Sequence, residues 1–165
     1  MLLLTLVAGC GYRFTADQGA RLAAGSTVWV PFFRNTTVYP LGSVALKRAL
    51  FEQFAAQRGI MAASSPETAD LLLEGTLIGY QSTAVSYTAA DTAREYRLTI
   101  NAEITVRRRG DAAGTPPFWK GSLTAWQEYP ASSSLEQQRR SEDAALEAAA
   151  RKLAQQAIWQ MEQQY

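Results

Sequence analysis

From Glu95 to Arg108 apolar and polar side chains alternate without a break. Tyr96, Leu98, Ile100, Ala102, Ile104 and Val106 fall on one side, and Arg97, Thr99, Asn101, Glu103, Thr105 and Arg107 on the other. A period of two sends successive side chains to opposite faces of an extended chain. The stretch therefore predicts a strand of an antiparallel sheet with one covered face and one face toward water. At roughly 3.3 Å per residue it would reach about 45 Å, well beyond the usual strand of about five or six residues. The end of the chain has a matching length. Ser133-x-x-Glu136 reads as a capping box opening a helix, and Leu146, Ala150, Leu153, Ala157 and Met161 form its apolar stripe. Near thirty residues at a 1.5 Å rise also span about 45 Å, so the body is expected to be elongated.

The intervening chain supplies the other elements. Ser26–Phe33 is β-branched and aromatic and reads as one strand, closed by a turn at Arg34-Asn35-Thr36-Thr37, with Pro31 marking an edge or a bulge. Asn35 and Thr37 read as turn chemistry rather than as a glycosylation acceptor. Pro40 to Gly59 has helical spacing: Leu46, Leu50 and Phe54 line one face, joined by Leu41, Val44 and Phe51, while Lys47, Arg48, Glu52 and Gln53 form the wet side. Ser64–Ala69 is a linker. Leu71–Tyr87 is extended, with Gly75 and Gly79 as places to bend or bulge. After a turn at Thr88–Ala93 and the long strand comes a loop, Gly110–Pro117, and then a fourth strand, Phe118–Tyr129. The order β-α-β-β-β-α predicts an α+β two-layer sandwich: a four-stranded, mostly antiparallel or mixed sheet with two helices on one face, forming a single domain over residues 26–165.

Residues 1–9 read as an export signal rather than a folded element, since an apolar run ends in small residues. Val7-Ala8-Gly9-Cys10 has the arrangement of a lipobox, which makes Cys10 the lipidation site and residues 10–25 a lipidated tether that lays Tyr12 and Phe14 on the body. Several acyl chains on one residue anchor firmly, because each buried methylene contributes about 0.8 kcal/mol. No Lys or Arg precedes the leucines, which points to a reading frame starting further upstream. A single cysteine excludes a disulfide within the chain.

The chain has no histidine. That removes the commonest general base, the Ser-His-Asp arrangement and the commonest metal ligand together. With one cysteine, expected to be acylated, thiol catalysis and a cysteine zinc site go as well. No phosphate-cradling glycine motif is present, and a net charge of +1 gives no argument for nucleic acid. The expectation is a non-enzymatic binding protein whose only attached group is the lipid on Cys10. A hydrolase using Asp70, Glu74 or Glu95 is the poorer alternative.

In order and spacing several segments resemble the lipopolysaccharide-assembly lipoprotein family, LptE. They are Cys10-Gly11-Tyr12-Arg13-Phe14, Val30–Thr37 with Pro40, Ala69–Gly75, Val85-Ser86-Tyr87, Glu95–Thr99 and the alanine-rich ending with Arg140, Leu146 and Leu153. The resemblance implies a lipid-anchored protein on the periplasmic face of the outer membrane. It implies a plug inside an LptD-type β-barrel that helps the barrel assemble and binds lipopolysaccharide. An accessory lipoprotein of another outer-membrane secretion or barrel-assembly machine is the alternative. Lipid A phosphates call for guanidinium groups. The candidates are Arg94 and Arg97 at the start of the long strand and Arg139 and Arg140 entering the last helix, and by region the resemblance points to Arg94, Arg139 and Arg140 among them. Arg107, Arg108 and Arg109 at the far end are further candidates, although for any one arginine a solvated strand face or helix start is the plainer reading. Tyr80, Tyr87, Tyr96, Trp119, Trp126 and Tyr129 are expected mainly to pack, with any outward one serving as an anchor for a barrel wall.

Overall fold

In the computed structural model, which describes residues 22–163, the chain runs β1 (Thr27–Trp29), β2 (Arg34–Asn35), α1 (Leu41–Arg58), β3 (Met61–Ala62), β4 (Leu71–Tyr87), β5 (Ala93–Arg108), β6 (Trp119–Pro130) and α2 (Leu135–Gln163). Cys10 and the expected signal stretch lie outside the described residues, as does most of the tether. The alternation in β5 does what a period of two requires. Leu98, Ile100, Ala102, Ile104 and Val106 are fully buried, while Arg107 and Glu103 on the opposite face are exposed. β5 is central to an antiparallel meander, with Leu73 opposite Val106 on the β4 side and Leu123 opposite Ala102 on the β6 side. Both helices cover the same face, and one continuous core joins Leu46, Leu50 and Phe54 of α1 to the sheet and to Leu146, Leu153 and Met161 of α2. Leu41 and Val44 do not join that face: they are 52% and 50% exposed at the start of α1.

The α+β class with two helices stands, but the sheet is mixed and has six strands rather than four, ordered β3-β1-β4-β5-β6 with β2 also on β4. The expected strand Ser26–Phe33 divides in two around Pro31, whose nitrogen has no hydrogen to give to a ladder. β1 pairs in parallel with β4 at Val28–Leu71, and β2 pairs in parallel further along at Arg34–Thr76. Between them Phe33 lies over Gly75, where a Cβ would come within 1.8 Å of the ring. Gly75 is thus a close approach and not a bulge. β3, two residues long and parallel to β1, carries no periodicity that a reading of the sequence could detect.

The second glycine does mark a bulge. The β4–β5 register shifts between Leu77 and Gly79, so Ile78 is the extra residue. Before it the odd-numbered residues Leu71, Leu73 and Leu77 face the core; after it the even-numbered Tyr80 and Ser82 do, opposite Ile100 and Leu98. The helix ends are closed locally. Gly59 adopts φ 60° and its N–H bonds Ala55 O at 3.0 Å, stopping α1. The expected capping box on Ser133 is displaced by one residue. Ser134 Oγ accepts from Gln137 N–H (3.5 Å), and Gln138 rather than Glu136 reaches back, accepting from Ser132 N–H at 2.7 Å. Glu136 is drawn off by an ion pair with Arg140 one turn on.

Because the Gly75 site is filled by a buried ring, Gly75→Ala is expected to lower the unfolding free energy by about 1–3 kcal/mol through overpacking. In a Phe33→Leu background the same alanine should cost less, since the two sites share one volume. Urea denaturation of the four proteins of this cycle measures both effects, and equal costs in the two backgrounds would show that the ring is not what fills the space.

Candidate functional site

The two ends of the long strands are put to different uses. At the end where β5 stops, all three arginines are engaged by the fold. Arg107 Nη1 donates to Thr115 O (2.9 Å), Arg108 lies 4.8 Å over the Phe118 ring, and Arg109 Nε donates to Ala69 O (2.8 Å). Asp70 is held there too, accepting from both the N–H and the hydroxyl of Thr27 at 2.9 Å. The Thr27 N–H, then the hydroxyl, hold its carboxyl below the usual range. Asp70 therefore staples β1 to the start of β4. Glu74 sits opposite Thr105 and Glu95 opposite Ser86, so the three carboxylates considered for hydrolysis are spread along the sheet.

At the other end, the β4–β5 hairpin meets the turn into α2. Ala131 N–H donates to Arg94 O (2.8 Å), which pins the chain leaving β6 beside the start of β5. The space between them is a cavity of about 310 Å³ lined by Thr92, Ala93, Tyr96, Ala131, Ser132, Ser133 and Gln138. Neither Arg94 nor Arg139 lines this cavity, but each is the next residue in sequence after one that does, Ala93 and Gln138. Both are exposed, and among the described residues neither has an ion-pair partner. The other two predicted arginines are occupied. Arg97 pairs with Glu128 (2.7 Å) and lies 4.4 Å over the Trp126 ring, while Arg140 pairs with Glu136. The cavity rim carries hydroxyl and amide groups, and the two segments that form it each lead into an unpaired guanidinium, the kind of group that holds anionic oxygens. Among the described residues no three Cys, Asp or Glu side chains converge to hold a metal ion.

Of the aromatic candidates, Trp119 and Tyr129 are buried and Tyr80 and Tyr96 are half-buried against the core. Tyr87 and Trp126 turn outward, 59% and 46% exposed. One arrangement had no signal in the sequence. Tyr39 and Tyr80 stack with ring centres 4.4 Å apart, and each hydroxyl donates to a neighbouring carboxylate of α2: Tyr39 to Asp143 and Tyr80 to Glu142, both at 2.5 Å. Asn35 prepares this clasp. Its Oδ1 accepts from Thr37 N–H (2.9 Å) and its amide donates to Tyr39 O (2.8 Å), so the turn chemistry read from Asn35 and Thr37 sets where Tyr39 points. Burial first, then the hydrogen bond to Asp143 and its charge, push the Tyr39 hydroxyl up to about 12. Burial and then Glu142 push Tyr80 up as well.

A family model described as LptE, lipopolysaccharide-assembly, matches residues 26–161. No curated protein matches the sequence. Among solved structures, the chain is similar to PelC from Paraburkholderia phytofirmans, described as a dodecamer (18% identity, TM-score 0.54, covering 85% of this chain and 91% of that one). It is also similar to rare lipoprotein B from Shewanella oneidensis (12%, TM-score 0.52, 81% and 91%) and to a minor lipoprotein from Acinetobacter baumannii (12%, TM-score 0.52, 86% and 93%). At these identities the likeness is one of fold.

The tyrosine clasp predicts a pH dependence. A hydroxyl whose pKa is raised by folding favours the folded state while it is neutral. Its contribution is complete below the unfolded value of 10.0 and is lost as pH climbs toward about 12. Urea midpoints of the wild type should therefore fall between about pH 10 and 12, and Tyr39→Phe should make that fall shallower. Identical slopes for the two proteins would mean that Tyr39 is not held neutral by α2.

Proposed function

The chain belongs to the LptE family of lipopolysaccharide-assembly proteins, and from that premise we propose that it is a non-enzymatic subunit of the outer membrane that binds lipopolysaccharide and plugs an LptD-type β-barrel. The observation that carries the binding half is that Arg94 and Arg139, each one residue beyond the lining of the same cavity, are exposed guanidiniums that the fold leaves without ion-pair partners among the described residues. Lipid A presents phosphate groups, and a guanidinium binds phosphate oxygens in a planar, two-bond geometry that also fixes orientation. The serine, threonine and glutamine groups around the cavity suit the sugar hydroxyls next to those phosphates. Arg97 and Arg140, each already paired, take a lesser part.

The plug half draws on shape and surface. Long strands and a helix of similar length make a rod with a polar open sheet face, which suits a barrel lumen lined by polar side chains. Trp126 and Tyr87, turned outward on that sheet, are natural contact points. In this reading Cys10 carries the lipid that holds the protein at the periplasmic face of the membrane, so the folded body recognises its neighbours and not the bilayer. No cofactor enters the scheme.

Arg94→Ala and Arg139→Ala are each expected to weaken binding of purified lipopolysaccharide by on the order of tenfold, the loss of one strong charge-assisted contact. Arg107→Ala, at the end where arginines serve the fold, should bind as the wild type does. Titration of a fluorescent lipopolysaccharide at fixed ionic strength makes the measurement. Wild-type affinity in the Arg94→Ala, Arg139→Ala double variant would overturn this assignment.

A further inference from the structure

The two edges of the sheet are unequal. One is β3, only two residues long; the other is β6, twelve residues that pair with β5 on one side and, among the described residues, with no strand on the other. The donation from Ala131 N–H to Arg94 O fixes the phase of the β5–β6 ladder. Odd-numbered residues of β6 exchange bonds with β5, and antiparallel alternation turns the N–H and C=O of the even-numbered ones outward. At one end of that outward row the carbonyls are met by the chain itself. Lys152 of α2 reaches round the edge to donate to Trp126 O (3.1 Å), and the Gln127 amide donates to Glu128 O (2.9 Å). Pro130 has no N–H to offer.

From Lys120 to Thr124 nothing comparable is present. Among the described residues the outward main-chain groups of Lys120, Ser122 and Thr124 have no partner. The Lys120 ammonium, exposed on the open face, has none either. A row of unpaired donors and acceptors at the spacing of a strand is a template for another strand, and a single charge, that of Lys120, guards this one against indiscriminate pairing.

We propose that the Lys120–Thr124 edge receives an extended segment of the barrel partner by strand addition. The proposal rests on the reading of this chain as a barrel plug and adds the mode of contact. The segment is a loop or a terminal stretch of that partner, not a wall strand, because the strands of a closed barrel have no free main-chain groups left to share. Main-chain bonds supply the attachment, and alternate side chains supply the selectivity. Opposite Lys120 the incoming strand carries an acidic or hydroxyl residue.

Residue-resolved amide exchange on the full-length chain, free in detergent and in the complex extracted from membranes, tests this. In the free chain the Ser122 and Thr124 amides should exchange fast while Gly121 and Leu123 are slow. In the complex Ser122 and Thr124 should slow by on the order of a hundredfold or more. Ser122→Pro removes one outward N–H without touching the β5 ladder. It should reduce barrel co-purification about tenfold, with Gly121 and Leu123 still protected to show that the sheet is intact, whereas Ser122→Ala should co-purify as the wild type does. A barrel recovered with Ser122 and Thr124 still exchanging fast, or with Ser122→Pro bound normally, overturns strand addition alone. A wild-type chain that comes out of membranes with no barrel overturns the plug reading and this inference with it.

Discussion

The structure depends on the burial of one face of β4, β5 and β6 beneath α2. That face presents Leu98, Ile100, Ala102, Ile104 and Val106 from β5 and Trp119, Leu123 and Ala125 from β6. Only a helix of comparable length can keep it from water. α2 meets the need with small residues: Ala145, Ala149, Ala150, Ala154 and Ala157 are all buried, which lets its backbone approach the strands closely. Each larger side chain among them, such as Leu146, Leu153 and Met161, adds about 1.5–3 kcal/mol on burial. α1 fills the β4 side of the same core with Leu46, Leu50 and Phe54. A long sheet covered on one side only must then be polar on the other, and Thr99, Asn101, Thr105 and Glu103 make it so.

The bulge at Ile78 governs how this packing reaches the start of α2. Without the extra residue, β4 would keep its odd-numbered side chains inward, and Tyr80 would point at solvent. The shift of register turns Tyr80 and Ser82 to the helix side, where Tyr80 reaches Glu142 and Ser82 meets the Tyr129 hydroxyl at 2.7 Å. Tyr39 completes the clasp from the turn before α1. Two separate segments thus meet α2 at Glu142 and Asp143, near its start. An irregularity in one strand therefore helps to position the start of α2, which carries Arg139 and Arg140.

What could be read in the sequence follows from how local each cause is. The β5 alternation was legible because the strand is central, pairs on both sides and has one face buried throughout. The stripe of α2 was legible for the same reason. The first strand was misread because β1 and β2 share one extended composition but pair at different points of β4, and the break between them is forced by Pro31 and by Phe33 seeking the bare backbone at Gly75. The clasp was not legible at all: Tyr39 and Asp143 are 104 residues apart, and no spacing rule joins them. Among the arginines, the pairing of Arg140 with Glu136 lies at helical i,i+4 spacing and could have been anticipated. The pairing of Arg97 with Glu128 requires the β5–β6 register, which the alternating pattern alone does not set.

The asymmetry between the two ends then has a physical explanation. Where β5 ends and β4 begins, unpaired main-chain carbonyls and an aromatic ring lie within reach, and arginine is the side chain best able to satisfy both. Arg107, Arg108 and Arg109 are consumed there, leaving little free charge for a ligand. At the opposite end Ala131 and Gln138 close the turn with main-chain and amide hydrogen bonds, so the arginines are not required for it. A cation that the fold does not need stays hydrated and available at the surface, and Arg94 and Arg139 are two of these. The same reasoning applies along β6, where Lys152 and Gln127 satisfy the carbonyls at one end and leave the Lys120–Thr124 stretch open. What this chain has left to offer a partner lies where the fold has not already used its polar groups.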